Sequence, residues 1–482
     1  MSAIVGAITA VTTAVNAALQ VATGEGSPTP RVFHAPLAWV DGQWQRDVLM
    51  RVDAQGQWAS IEADVDAGAH AAAGAVRLDG PVLPTLVDAH SHAFQRAFAG
   101  LSEQRDTDSD DFWSWRDRMY GVALRVTPAQ LKDIAAQLYT ELLAGGYTQV
   151  CEFHYLHHRE DGTPYEDEHA MAMALAEAAQ EVGIGLTLLP VLYAHAGFGQ
   201  TGLRETQRRF ATDAAWVWRA CQRINAAGLP LVRAGVAVHS LRAAHEADIR
   251  ALQALVGDAP VPIHVHVAEQ QQEVRDCLAA TGRRPIELLA AYGLDPRWQL
   301  VHATHSTPEE IAAIAASGAG VVICPGTEGN LGDGLADLPG WLAAGVPMTV
   351  GSDSQVTRGW VEELRWLEYG QRLGLQRRNV AARPGVQAST AARLFEACVA
   401  GSARAAGLSD WGLRVGARAD FLVLDRGASG LAGLPEAALL DGLVFASQGA
   451  AWREVYVAGQ RRAIDDAGRR ERFIGTMNAL WR

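Results

Sequence analysis

Lysine is almost absent from the sequence: Lys132 is the only one among 482 residues, so arginine supplies nearly all of the positive charge. Basic residues total 41 against 54 acidic ones, which leaves a formal net charge of −13. This balance disfavours a nucleic-acid-binding surface, because such a surface needs an excess of cations. It also means that an anionic substrate would have to meet its cations inside the site.

Cysteine is scarce as well and shows no pairing pattern. The five cysteines are scattered along the chain at Cys151, Cys221, Cys277, Cys324 and Cys398. Such usage is typical of a reducing compartment and provides no thiolate cage for zinc. We therefore expect a cytoplasmic protein in which any metal ligands come from other side chains.

The N-terminal segment, up to about residue 29, contains neither lysine nor arginine and is rich in Ala, Val and Thr. A secretory signal needs a basic start, which is missing here. Asn16 and Gln20 interrupt the apolar stretch, which is also too short to span a bilayer. We interpret residues 1–30 as a poorly ordered N-terminal extension without chemistry, and we expect no membrane association.

Short β-like runs mark both ends of the remaining chain. Hydrophobic residues make up 49% of the sequence and charged residues 20%, which is ordinary for a soluble globular enzyme of more than one domain. Residues 31–84 and 396–482 both contain short strands separated by Gly and Asp at turn positions. Together they predict a small β-sandwich domain formed from both chain ends, followed by a C-terminal tail.

Residues 85–395 alternate strand, loop and helix. Helical segments such as PAQLKDIAAQLYTELLAGG end in glycine, as helices often do. The eight predicted strands are Leu86–His92, Thr148–His154, Gly185–Tyr193, Ala234–His239, Val261–Val267, Gln299–Ala303, Gly320–Cys324 and Met348–Ser352. Eight strands alternating with helices predict an α/β fold, a (β/α)₈ TIM-type barrel whose chemistry lies at the carboxyl ends of the strands.

The segment VDAHSHAF, residues 87–94, is the centre of the predicted site. An apolar run leads into His90 and His92, which lie two positions apart and so face the same side of a strand. Two such imidazoles at the end of a buried strand are half of a metal site. The alternative for an isolated His-x-His pair is two satisfied polar side chains.

Two further ligands are predicted far downstream. His266 lies near the end of the fifth strand in IHVHVAEQ, and Asp353 follows the eighth in TVGSDS. With His90 and His92 they would hold one divalent ion and leave a position for water. His264 faces the same way as His266 and competes with it, but His266 lies nearer the strand end. Asp353 could instead cap the next helix, an alternative that the buried run PMTVGS before it disfavours.

Proton transfer is assigned to residues beside these ligands. Glu269 follows His266 by three residues and could carry a proton from the attacking water to the leaving group. Glu273, in the polar run EQQQE, is interpreted as a surface residue. His302 ends the sixth strand and, with Asp353, could activate the water or bind the developing oxyanion. His305 is the rival of His302 in this role.

Four motifs resemble those of the mononuclear deaminase branch of the amidohydrolase superfamily. They are HxH on the first strand, HxAE on the fifth, His on the sixth and SD on the eighth. The likeness covers most of residues 31–465, including GLRVGARADFLVLD. Two-metal relatives bridge their ions with a modified lysine from the fourth strand, which reads RAGVAVHS here, while Lys132 lies in an early helix. The resemblance therefore implies one divalent ion, which we expect to be zinc, with iron(II) as the alternative.

Four loops resemble those of the formimidoylglutamate deiminases: AFQRAFAGL, DDFWSWRDRMY, CEFHYLHH and HSLRA. That family converts N-formimidoyl-L-glutamate and water into N-formyl-L-glutamate and ammonia in histidine degradation. The resemblance implies that Gln95, Arg116 and Tyr155 bind the glutamate portion, and that Arg242, with His239 beside it, also faces the substrate. The N-terminal extension is not part of the family pattern, but it leaves these motifs intact.

The charge of such a substrate agrees with these residues. Guanidinium groups bind carboxylates in a planar, two-pronged fashion, and the substrate carries two carboxylates. Trp113, Trp115 and Tyr120 could hold Arg116 in place, although a surface WxWR helix with arginine lying over the rings is the alternative.

Other functions were weighed against this one. A deaminase of guanine, 8-oxoguanine or a related heterocycle would need aromatic stacking and amide contacts rather than paired arginines. A binding protein of the same fold would tolerate loss of Glu269 or Asp353, and both are present. We expect a homodimeric enzyme for a small dianionic substrate, without a nucleic-acid partner.

Overall fold

The computed structural model describes residues 31–66, 68, 73–104 and 112–482 of the chain. The extension predicted for residues 1–30 lies outside the described residues. The described part contains two sheets, one built from both ends of the chain and one from the segment between them.

The strands are, in chain order, β1 (Arg31–Val40), β2 (Gln43–Val52), β3 (Trp58–Glu62), β4 (Val76–Arg77), β5 (Val82–Pro84), β6 (Leu86–Ser91), β7 (Tyr147–His154), β8 (Gly185–Leu192), β9 (Val232–Ala234), β10 (Val236–Val238), β11 (Ile263–Val267), β12 (Trp298–His302), β13 (Gly320–Ile323), β14 (Met348–Val350), β15 (Phe421–Leu424), β16 (Trp452–Val457) and β17 (Gln460–Arg462).

The helices are α1 (Phe112–Ala123), α2 (Pro128–Ala144), α3 (Ala170–Val182), α4 (Ala214–Ala226), α5 (Glu246–Val256), α6 (Gln271–Thr281), α7 (Pro285–Ala291), α8 (Pro308–Ser317), α9 (Pro325–Leu331), α10 (Leu338–Ala344), α11 (Trp360–Leu375), α12 (Thr390–Ala405), α13 (Leu439–Phe445) and α14 (Ala467–Trp481). Short 3₁₀ turns cover Ala93–Ala97, Glu205–Phe210 and Glu436–Ala438. Within the described residues, none of the helices combines the length and hydropathy that a membrane crossing needs.

The sheet from the chain ends has the strand order β17-β16-β15-β5-β1-β2-β3, with β4 beside β1. Antiparallel pairing of β5 with β15 joins the N-terminal and C-terminal parts. Trp58 of β3 packs against Phe421 of β15 at 5.6 Å between ring centroids, although these strands lie four apart in the order. The sheet therefore folds over itself and encloses its own apolar core. This confirms a small β-domain made from both ends of the chain.

The second sheet is the predicted barrel. Parallel strands follow the order β14-β13-β12-β11-β10-β8-β7-β6, with β9 beside β8. β7 and β8 are buried along their whole length, because side chains fill the inside and helices cover the outside. Their sequences are therefore dominated by apolar residues rather than alternating. All eight predicted strands are present within about two residues, so the (β/α)₈ fold is confirmed.

Hydrogen bonds between the first and last barrel strands close the ring. The Asp353 N–H donates to the carbonyl of His90 at 2.9 Å, and the His92 N–H donates to the carbonyl of Asp353 at 3.1 Å. Asp88 adds two side-chain contacts, accepting from the Ser352 N–H at 2.8 Å and from its hydroxyl at 2.6 Å. Closure thus brings the HxH segment directly against the SD segment.

The C-terminal end of α12 covers the opposite, amino-terminal end of the barrel. The carbonyl of Ala405 lies 2.9 Å from Nε2 of His264 and 3.4 Å from Sγ of Cys151. The hydroxyl of Thr187 donates to the neighbouring carbonyl of Ala406 at 2.8 Å. The domain limits predicted at residues 84 and 395 stay predictions.

Candidate active site

Three imidazole nitrogens and a carboxylate converge at the carboxyl ends of the barrel strands. Nε2 of His90 lies 3.2 Å from Nε2 of His92 and 2.9 Å from Nε2 of His266. Oδ1 of Asp353 lies 3.5 Å from Nε2 of His90 and 3.3 Å from Nε2 of His92. Spacings of roughly 3 Å suit the ligands of one ion whose bonds are about 2 Å long. The structure therefore brings the four predicted ligands together.

The outer ring nitrogens determine what the converging ones can bind. Nδ1 of His92 lies 2.8 Å from the carbonyl oxygen of Phe153, and Nδ1 of His266 lies 2.9 Å from that of His239. Because a carbonyl only accepts, each Nδ1 carries the proton and Nε2 keeps its lone pair. Burial lowers the pKa of His92 to about 3, and those of His90 and His266 well below their usual range. Neutral imidazoles facing one another through lone pairs fit a bound cation.

His302 and Glu269 lie beside this cluster. Nε2 of His302 lies 3.7 Å from Oε1 of Glu269 and 3.7 Å from Oδ2 of Asp353. Burial disfavours a charge on His302, but the carboxylates of Glu269, Glu328 and Asp353 outweigh it and raise its pKa to about 10. Burial raises the pKa of Asp353 to about 7, against the influence of His302. The neighbouring carboxylates therefore favour a proton on His302, beside the converging ligands.

The backbone at these strand ends is in an uncommon conformation. His302 has φ 68°, Asp353 has φ 52°, and Ala268, directly before Glu269, has φ 51°. A left-handed conformation at a non-glycine residue costs on the order of 1–3 kcal/mol and persists where the surroundings impose it. Here it occurs at two residues predicted to act on the substrate or the metal, and directly before a third.

The rival residues lie elsewhere. His264 points to the amino-terminal end of the barrel, where it contacts Ala405. His305 is half-buried with Nδ1 2.9 Å from Nε2 of Gln271, outside the cluster. The prediction that Glu273 is a surface residue is wrong: its side chain is buried, and Oε2 accepts the N–H of Glu269 at 3.1 Å. Glu273 faces inward from the first turn of α6 and satisfies the backbone there.

A cavity of about 700 Å³ opens over the cluster. Its lining includes all five predicted substrate-binding residues, Gln95, Arg116, Tyr155, His239 and Arg242. The amide of Gln95 donates to the hydroxyl of Tyr155 at 3.2 Å, and the rings of Tyr155 and His239 lie 5.5 Å apart. The Arg116 guanidinium lies 5.5 Å from the Tyr120 ring centroid. Trp113, predicted to pack beside Arg116, lies outside the described side chains.

The electrostatics of the cavity differ between its two sides. Burial lowers the pKa of His239 well below its usual range, and the positive charges of Arg242 and Arg116 add to that shift. Both guanidinium groups therefore act on one imidazole of the lining. Carboxylates surround His302 on the other side. A ligand with an anionic end and a cationic or neutral reacting end suits this polarity.

Several residues of the site were not predicted from the sequence. Tyr193 and Arg204 line the cavity, and Gln207 joins them by donating to the Tyr193 hydroxyl at 3.0 Å and accepting the Arg204 N–H at 3.0 Å. Tyr193 follows the last residue of β8, so its place at a strand end was a usable signal. Arg204 directly precedes the 3₁₀ turn Glu205–Phe210 and Gln207 lies within it, and this short turn carries no such pattern.

The family model described as "Amidohydrolase family" matches residues 82–462. The chain belongs to the amidohydrolase family. As a member it is a hydrolase that acts on carbon–nitrogen bonds. Members of this family use divalent metal ions, and the converging histidines and aspartate are groups that could hold one.

Individual relatives cover most of this amidohydrolase. A formimidoylglutamate deiminase from Pseudomonas aeruginosa is 46% identical over 422 residues, which are 86% of this chain and 91% of that protein. The crystal structure of an amidohydrolase from Brucella melitensis is 40% identical with a TM-score of 0.87, covering 94% of this chain and 100% of that chain. An adenosine deaminase structure from Xanthomonas campestris with bound zinc is 21% identical with a TM-score of 0.74, covering 93% and 98%. At that identity the likeness shows the fold alone.

Proposed function

We propose that this amidohydrolase hydrolyses N-formimidoyl-L-glutamate to N-formyl-L-glutamate and ammonia, a step of histidine degradation. The observation that carries the proposal is the position of Arg116 and Arg242, which line the same cavity as the metal cluster. The relative of that name, 46% identical to this chain, supports it.

One zinc ion is the expected cofactor, with iron(II) as the alternative for the same ligands. His90, His92, His266 and Asp353 would hold the ion, which supplies Lewis acidity that eases deprotonation of water and polarises the substrate. A second ion bridged by a modified lysine is not expected. Lys132, the only lysine, lies on α2 and pairs with Glu177 at 2.8 Å.

Glu269 is assigned as the proton carrier. Its carboxylate takes a proton from the attacking water while the water oxygen bonds to the formimidoyl carbon. The C=N electron pair moves to the terminal nitrogen, which takes this proton from Glu269. Glu269 then carries the remaining hydroxyl proton to the same nitrogen as the carbon–nitrogen bond breaks and ammonia leaves. The oxygen electron pair forms the formyl C=O. His302 and Asp353 orient the water and stabilise charge on its oxygen.

The glutamate portion defines the specificity. Arg116 and Arg242 would bind the two carboxylates, while Gln95 and Tyr155 supply amide and hydroxyl contacts and His239 lies beside Arg242. A purine substrate would offer no carboxylate to the guanidinium groups of Arg116 and Arg242. This favours the dianion over guanine or 8-oxoguanine.

An ammonia-release assay tests the proposal. The metal-loaded protein is expected to release ammonia from N-formimidoyl-L-glutamate with saturation, and to leave guanine and 8-oxoguanine unchanged. Preference for either purine would replace the proposal with a heterocycle deaminase. A cytoplasmic homodimer that binds no nucleic acid remains our prediction for the assembly.

A further inference from the structure

A second cavity, of about 1010 Å³, lies between the β-domain and the amino-terminal ends of the barrel strands. Arginines dominate its charged lining: Arg31, Arg233, Arg297, Arg404, Arg418 and Arg462. Among the described lining residues, Asp53 and Asp410 are the only carboxylates. In a chain of net charge −13, this cavity therefore has the opposite local sign.

Two of these arginines are neutralised by neighbours. Arg418 pairs with Asp420 at 2.6 Å, and Arg297 pairs with Asp295 at 2.7 Å. Their charges therefore contribute less to the potential inside the cavity.

The other four form no ion pair within the described part of the chain. Arg31, Arg233 and Arg404 each donate one nitrogen to a backbone carbonyl, those of Gly459 at 2.8 Å, Gly407 at 2.6 Å and Gly318 at 2.5 Å. A single carbonyl leaves most of a guanidinium unused, since the group has five N–H donors. These side chains are thus anchored while their charge stays uncompensated.

Arg462 is the most constrained of the four. Its Nε is buried and has no hydrogen-bond partner among the described residues. Partial burial lowers the pKa of Arg462; Asp420 opposes that shift, and Arg418 and Arg31 add to it. Burial and then Arg418 likewise lower the pKa of Arg233. Arg418 therefore repels both guanidinium groups, and Arg31 adds to the repulsion of Arg462. A bound anion would relieve this repulsion and accept hydrogen bonds from the unused donors.

We propose that this interdomain cavity is a binding site for a small multivalent oxyanion, inorganic phosphate or an organic dicarboxylate, held by Arg462 and Arg233 with Arg31 and Arg404 around it. Guanidinium groups match the oxygen geometry of both ligands. The site is separate from the catalytic cavity, which opens at the carboxyl ends of the same strands. It does not depend on the proposed deiminase activity.

Calorimetric titration of the full-length, metal-loaded protein with inorganic phosphate, against sodium chloride of equal ionic strength, tests the site. Arg462→Gln and Arg233→Gln remove one guanidinium each, and the exposed Arg378→Gln outside the cavity is the matched control. Saturable binding is expected in the intact protein and in Arg378→Gln. It should weaken at least about tenfold in the other two, because each loses a charge-assisted contact. If phosphate bound at the catalytic metal instead, its affinity would be the same in all variants.

Competition with glutarate separates the two ligand sources. Displacement of phosphate by glutarate in the Arg378→Gln protein supports an organic dianion, and persistence of the phosphate signal supports phosphate itself. Equal affinity in all variants, or heat no larger than with chloride, overturns the site. Because Arg233 is exposed, its variant decides the test if Arg462→Gln fails to fold.

Discussion

The carboxylate of Glu328 lies against the outer ring nitrogen of His302. Nδ1 of His302 lies 3.4 Å from Oε1 of Glu328, and the same oxygen accepts the N–H of Cys324 at 2.9 Å. The carboxylate is therefore fixed by the backbone at the end of β13 and in turn orients the imidazole at the end of β12. Such outer partners keep a reactive ring in one tautomer and one orientation.

Glu328→Gln should lower kcat by roughly 10–100-fold, the usual range for an outer partner of this kind. KM for N-formimidoyl-L-glutamate and the metal content should stay close to those of the intact enzyme, because Glu328 acts on the site through His302. Steady-state kinetics with metal analysis measures both. A rise in KM with unchanged kcat would show that Glu328 does not act through His302.

His266→Ala should lose most of the bound metal, since it removes one of three converging imidazoles. His264→Ala, two residues earlier on the same strand, is the matched control and should keep its metal because that ring contacts Ala405. Metal analysis of purified proteins distinguishes them. Two tightly bound ions in the intact protein would contradict a single-ion centre.

Glu269→Gln should retain its metal while turnover falls by roughly 10²–10⁴-fold, the scale of lost general acid–base help. The amide keeps the size of the side chain but cannot carry the proton. Turnover near that of the intact enzyme would remove Glu269 from the mechanism.

Arg116→Met and Arg242→Met should each lower kcat/KM for N-formimidoyl-L-glutamate at least about tenfold, because a charge-assisted contact is worth about 1.5–3 kcal/mol. Metal content should not change, and the exposed Arg378→Met serves as control. A formimidoyl compound without carboxylates should be a poor substrate that loses little more in these variants. An equal loss of kcat/KM for both compounds would mean that the two arginines do not bind the carboxylates.

Asp88→Ala should lower the free energy of unfolding by about 1–3 kcal/mol, since it leaves the buried N–H of Ser352 without its acceptor, while the Ser352 hydroxyl keeps Oε1 of Gln355 at 3.0 Å. Denaturant titration at saturating metal measures the change. An unchanged midpoint would mean that these hydrogen bonds do not stabilise the closed barrel.

The barrel and its metal ligands were predictable because both leave local patterns. Buried parallel strands read as apolar runs, and His90, His92 and His266 stand at the ends of such runs. Glu273 was misread because its neighbours are polar and only the turn of α6 places it inside.

Contacts between distant segments left no comparable pattern. Glu328 contacts His302 across 26 residues of sequence, and Arg204 and Gln207 line or border the cavity from a short 3₁₀ turn without hydrophobic periodicity. The folding of the small sheet onto itself also depends on a pairing between the two chain ends, which no local stretch records.

Proton NMR of the reaction with N-formimidoyl-L-glutamate tests the central proposal most directly. The amidine carbon carries two C–N bonds, and proton delivery to the terminal nitrogen requires that only the terminal bond break. We predict N-formyl-L-glutamate and ammonia in equal amounts, at a rate far above that of the uncharged formimidoyl analogue. Appearance of glutamate and formamide, or an equal rate with the uncharged analogue, would contradict the account.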